Sequence, residues 1–177
     1  MVFGTPIKFD ENELWVLAGL IVLSFIFFKL PRHFPPALTF VLMLFNANLS
    51  ICVDFILASK YPFNFYDALD TQQYDLFDFI MDTINYTIYG YLFMYSYDKL
   101  RLQGTRNFLL ILGWIGLSLL LEWMSIKLNV FKFIHWNLGF STIAYTFIFT
   151  SYIIFLKIGK IAFQRYKTSR INKNTLH

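Results

Sequence analysis

The sequence predicts an all-α protein, a polytopic transmembrane bundle of five helices. Three observations carry that expectation. Of the 177 residues, 57% are hydrophobic and only 15% charged, where a soluble domain carries about 25% charged residues. Five long apolar runs each approach the roughly 20 residues that cross a ~30 Å hydrocarbon layer. All five prolines (Pro6, Pro31, Pro35, Pro36, Pro62) fall outside those runs. The same composition excludes intrinsic disorder. The runs are continuously apolar and not alternating, which does not fit a transmembrane barrel.

The first span is expected from Leu14 to Phe28, with Lys29 able to snorkel at its end. It does not read as a signal peptide. Acidic residues precede it (Asp10, Glu11, Glu13), and Phe28-Lys29-Leu30-Pro31 offers no small-residue cleavage site. The stretch from Leu30 to Pro36 reads as a tight turn, because proline lacks an amide proton and disfavours helix in the residue before it. The second span runs from Ala37 to Ala58, the third from Leu76 to Tyr97, the fourth from Asn107 to Leu128 and the fifth from Phe131 to Leu156. Residues 1–13 are then an outer N-terminal tail, 14–156 the membrane domain and 157–177 a basic tail. The loop from Ser59 to Asp75 is acidic and aromatic, suited to the headgroup layer or to lidding a cavity below it. Two sequons, Asn48-Leu-Ser50 and Asn85-Tyr-Thr87, lie inside spans, so glycosylation is not expected.

Lys and Arg set the expected orientation. Lys8, Lys60, Lys127 and Lys132 fall on one side of the five spans. The other eleven of the 15 cationic residues fall on the opposite side: Lys29, Arg32, Lys99, Arg101, Arg106 and six in the tail. That asymmetry places the N-terminus outside and the C-terminus in the cytoplasm. Trp15, Trp123 and Trp136 then sit near the outer interface, as an aromatic belt does.

Ionisable groups within spans cost roughly 2.5–3.5 kcal/mol each at the centre. Asp54, Asp78, Asp82, Glu122 and His135 are such groups. At ~1.5 Å per residue, Glu122 lies ~22 Å from the inner end of its helix, Asp82 ~9 Å below the outer end, and Asp54 and His135 ~6 Å below it. All fall in the outer third, at one level. Helical spacing groups them into stripes: Asn46, Ser50, Asp54; Asp78, Asp82, Asn85, Tyr89; Trp114, Ser118, Glu122, Ser125; and His135, Gly139, Thr142. The first helix has no such stripe and is expected to be peripheral and lipid-facing. Four striped helices around an outward-facing polar pocket follow, with Asp82, Glu122, Asp54, His135, Asn85 and Trp136 as candidate binding residues. For Asp82 and Glu122 a functional role competes with a packing role, because membrane helices also use polar side chains as glue. Asp54, Asp78 and His135 are shallow enough to reach headgroup water.

The chemistry this set suggests is proton or cation handling, for which Asp, Glu and His are the usual materials. A metal site is not expected, since there is no His-Glu-x-x-His run and no cysteine pair. Ser118 beside Glu122, and Cys52 near Asp54, read as packing residues, so no catalytic residue is assigned. No phosphate loop is present.

Three short motifs resemble a family of small uncharacterised five-helix integral membrane proteins from Gram-positive, often spore-forming bacteria. They are Val53-Asp54-Phe55 followed by Tyr61-Pro62-Phe63, Leu121-Glu122-Trp123, and Trp136-Asn137. The resemblance covers most of the chain and implies a bacterial plasma membrane and five helices. It brings no activity with it.

The expected function is binding or transport of a small solute, ion or proton through the outward-facing pocket, without a cofactor. A membrane-embedded enzyme acting on an amphiphile, and a structural subunit of a membrane complex, are the alternatives. Expected partners are the bilayer, anionic headgroups at the basic tail, and another membrane protein or a second copy, with no role for nucleic acid.

Overall fold

The computed structural model describes residues 9–58, 63–69 and 75–174. In chain order the elements are α1 (Glu11–Lys29), α2 (Pro36–Ala58), β1 (Tyr66–Ala68), α3 (Leu76–Ile80), a π-helical turn (Met81–Asn85), α4 (Tyr86–Leu100), α5 (Thr105–Lys127), β2 (Phe131–Phe133) and α6 (Leu138–Asn174). α3, the π turn and α4 form one continuous helix, with right-handed helical angles at both joins. The chain is therefore an all-α bundle of five helices with one small antiparallel ribbon, in which Tyr66 pairs with Phe133 and Ala68 with Phe131.

The helix starts have local causes. The acidic residues before α1 form a capping box. Asp10 Oδ1 accepts from the Asn12 amide at 3.2 Å, and Glu13 accepts from the Asp10 amide at 2.8 Å. Asp75 and Asp78 repeat the device at α3. Asp75 Oδ1 accepts from the Phe77 and Asp78 amides, and Asp78 Oδ2 accepts from the Asp75 amide at 2.9 Å. Asp78 is thus a helix cap. Pro36 opens α2 at the first helical position, where its missing N–H costs nothing. Asn137 caps α6, its Oδ1 accepting from the Gly139 and Phe140 amides.

Four helices, α1, α2, α5 and α6 up to Tyr166, are long and apolar enough to cross a membrane. Their outward faces are apolar: Phe28 is 82% exposed, Phe55 74% and Phe147 67%. A surface of that kind belongs against hydrocarbon, not water. The fifth helix is the central one. α4 packs on α1, α2, α5 and α6 and buries Ile88, Tyr91, Leu92, Phe93, Met94 and Tyr95. Shielded by its neighbours, it carries a larger polar share than α1, α2 or α5.

The main core joins α2, α4, α5 and α6 through Leu38, Leu42, Phe93, Ile115, Phe149, Tyr152 and Leu156. Phe93 and Phe149 have ring centroids 4.5 Å apart, and Phe45 stacks on Phe155 at 3.8 Å. Lipid offers helices no hydrophobic drive to associate, so close packing and interhelical hydrogen bonds hold the bundle. Asn46 Nδ2 donates to the Thr87 carbonyl at 3.1 Å, and Trp15 Nε1 to Ser125 Oγ at 2.8 Å. Each such bond contributes about 0.6 kcal/mol on average. At the end far from the ribbon, Asp98 receives Lys160 at 2.6 Å and lies 2.8 Å from His33, tying α4 to α6 and to the turn before α2.

Three expectations are corrected. The fifth span does not start at Phe131. Asn129 turns the chain with φ 56°, and Phe131-Lys132-Phe133 alternates inward and outward as a strand against β1. The helix begins at Leu138 and runs unbroken to Asn174, past the expected end of the span at Leu156. The third helix does not carry a single stripe. The π turn, closed by Tyr86 N–H to Met81 O, inserts an extra residue, and faces before and after it are out of step. Finally, α1 is only half peripheral. Its far half exposes Ile21, Phe25 and Phe28, but Asn12 and Glu13 are fully buried. Asn85 Nδ2 donates to the Val16 carbonyl at 2.9 Å. The expected lid segment from Ser59 to Asp75 lies partly outside the described residues, as do Tyr61 and Pro62.

Candidate functional site

A cavity of about 130 Å³ lies between α2, α4, α5 and α6, beneath the ribbon. It reaches from Tyr66, Phe131 and Phe133 on the ribbon to Phe149 and Tyr152 at the aromatic core. α1 contributes nothing to its lining among the described residues.

Each wall is set by local spacing. On α2, Ser50 and Asp54 lie one turn apart on the cavity side, continuing the stripe from buried Asn46. On α5, Ser118 and Glu122 do the same. The π turn aims Tyr86 and Tyr89 into the cavity and leaves Asn85 on α1. Because Asn137 starts α6 at Leu138, Ser141, Tyr145, Ile148, Phe149 and Tyr152 share one face of that helix and line the cavity.

Two carboxylates meet here. Asp54 Oδ1 accepts from the Tyr66 hydroxyl at 2.6 Å. Burial pushes the Tyr66 phenol well above its ordinary value, and the neighbouring Asp54 carboxylate raises it further, so it stays a neutral donor. Glu122 Oε1 accepts from Ser141 Oγ at 2.6 Å. Ser141 Oγ in turn accepts from Trp136 Nε1 at 2.8 Å. The Tyr145 hydroxyl is close enough to act on the same carboxylate. Glu122 Oε2 is buried without a hydrogen-bond partner among the described residues. Tyr89 and Ser118 share a hydrogen bond of 2.9 Å across the α4–α5 seam.

Of the six candidate residues, the cavity brings together Asp54, Glu122 and Trp136. Asp82 is fully buried at the π turn, outside the lining. It is near enough to Tyr86 and Tyr66 to act on their hydroxyls electrostatically. Asn85 holds α1. His135 is exposed on the loop after β2, and its backbone amide donates to the Phe65 carbonyl at 3.0 Å. Tyr66, Tyr86, Ser141 and Tyr145 also line the cavity, although none belongs to the stripes the sequence predicts. The α6 spacing from Ser141 to Tyr152 was readable, once the helix start was placed at Asn137.

Among the described residues lining the cavity there is no Lys, Arg or His. Among the described residues no three His, Cys, Asp or Glu side chains approach closely enough to hold a metal ion. The site can therefore offer carboxylate acceptors, neutral hydroxyls and aromatic faces. No protein-family model, no curated protein and no solved structure matches this chain.

Proposed function

We propose that this chain is a multi-pass protein of a bacterial plasma membrane, with its N-terminus outside. It binds or carries a small solute, ion or proton through the cavity under the ribbon. The supporting observation is that Asp54 on α2 and Glu122 on α5 converge on one cavity that carries no fixed cation among its described lining. Buried acidic groups are costly in a membrane and mark ion or solute pathways. The six basic residues of the tail supply charge for anionic headgroups, and the resemblance to the five-helix family rests on the short motifs alone.

Reconstituted vesicles holding a pH-sensitive dye should collapse an imposed proton or monovalent-cation gradient severalfold faster than empty vesicles. Ala144→Trp places an indole in the cavity from α6. It should return the rate to that of empty vesicles while the protein still elutes as wild type. If wild-type and empty vesicles behave alike for every gradient, the transport reading fails.

Orientation has its own check. In a Cys52→Ser background, Lys132→Cys and Thr105→Cys put single thiols at exposed positions near opposite ends of α5. A membrane-impermeant reagent should label the first on intact cells and the second only after permeabilisation. The reverse pattern would invert the bundle.

A further inference from the structure

Several of the cavity's own hydrogen-bond donors are committed. Tyr66 donates to Asp54, Trp136 to Ser141, Ser141 to Glu122, and Tyr89 and Ser118 bond each other. Glu122 is only 8% exposed, and its Oε2 has no hydrogen-bond partner among the described residues. The Tyr145 hydroxyl also acts on this carboxylate, and the open Oε2 leaves room for a donor from a bound molecule beside it. The surrounding surface says what kind. Tyr86, Tyr145, Phe131 and Trp136 present aromatic rings, and Val53 and Ile148 are aliphatic. Aromatic faces attract organic cations, while the apolar wall suits a hydrocarbon body. An anion would meet two carboxylates and no cation. A hydrated divalent ion would need six or more oxygen ligands.

We infer that the cavity takes an ammonium group carried on a small aliphatic body, its N–H donating to Glu122 Oε2. The inference rests on the binding reading above and names the ligand class. Size agrees: a 150 Å³ cavity holds benzene, so this one admits a body of about six non-hydrogen atoms. The ammonium has two possible sources, a free alkylamine or the ethanolamine headgroup of a phospholipid.

Titration calorimetry of the full chain in detergent, with n-butylammonium and its uncharged counterpart n-butanol, tests the chemistry. Melting in nanodiscs with and without phosphatidylethanolamine tests the lipid source. Saturable one-site binding of butylammonium but not butanol, weakened about tenfold or more by Glu122→Gln, supports a free amine. A melting shift with phosphatidylethanolamine that vanishes in Glu122→Gln supports the headgroup. Should Glu122→Gln fail to fold, Ala144→Trp gives the same comparison by filling the cavity. Equal binding of butanol, unchanged affinity in the folded variants, or no response to either source overturns the inference. A wild type that still collapses ion gradients while ignoring both sources keeps the cavity reading and removes only this one.

Discussion

Gly90→Val is expected to leave most of the chain aggregated on size-exclusion chromatography, and Gly90→Ala to lower the melting temperature by about 3–10 °C. Gly90 lies on α4 where α2 and α6 close on it. A Cβ there would meet Asn46 Nδ2, Tyr152 Cζ and Tyr152 Oη, each at 2.8 Å. Neither neighbour is free to yield. Asn46 is fully buried and its amide donates to the Thr87 carbonyl. The Tyr152 ring is wedged among Phe45, Phe93 and Phe149. Displacing Asn46 would strand a buried amide, at about 1–3 kcal/mol beyond the overpacking itself. Gly113→Ala and Gly116→Ala on α5 are the controls, since a Cβ at either position meets nothing within 4 Å. They should melt with the wild type or slightly above it, because alanine favours helix over glycine. A Gly90→Ala protein as stable as these controls would show that Tyr152 can swing aside, and the argument for a rigid three-helix junction would fail.

The contrast between Gly90 and Gly113 also shows what a sequence can and cannot carry. Span positions follow from apolar run length, a one-dimensional property. The starts of α1, α2 and α3 were therefore readable within a few residues. Which helix lies at the centre is not one-dimensional. α4 had to be found by packing, although its polar content was already a hint. The π turn is a hydrogen-bonding choice, closed by one bond from Tyr86 to Met81. It puts Asp82 and Asn85 out of step with Tyr89, so a stripe counted at 3.6 residues per turn gathered residues that the fold separates.

The fifth span failed for a related reason. Phe131 to Phe133 is apolar enough to extend a helix on composition. Its period of two becomes decisive only when the partner strand at Tyr66 is present. Once β2 is removed from the helix, His135 leaves the cavity while Ser141 and Tyr145 enter it. Asp54 and Glu122 keep their places on the cavity because each belongs to a long helix whose register nothing interrupts. Rise per residue alone predicts one level for these two carboxylates from helices distant in sequence, and both line the same cavity.

Glu122→Gln is expected to melt within about 2 °C of wild type or above it, yet to lose about tenfold or more in ligand affinity or flux. The two halves of that expectation have one cause. Glu122 is buried, and among the described residues lining the cavity no Lys, Arg or His faces it. There is no ion pair for the substitution to break, so the large penalty of an orphaned partner charge does not arise. Glutamine keeps an acceptor for the Ser141 hydroxyl, and it removes the cost of holding a carboxylate in apolar surroundings. What it removes as well is the negative charge that a proton or a cation would meet. Ser141→Ala should do the opposite in part. It deletes the donor to Glu122 and the acceptor of Trp136, so stability should fall by about 1–3 kcal/mol while the charge remains. A residue kept for stability and a residue kept for function would thus separate on adjacent ends of a single 2.6 Å hydrogen bond. If Glu122→Gln instead falls by about 10 °C, as loss of 3–5 kcal/mol would give, the carboxylate is a packing contact. The polar lining would then be glue between α5 and α6, not a site.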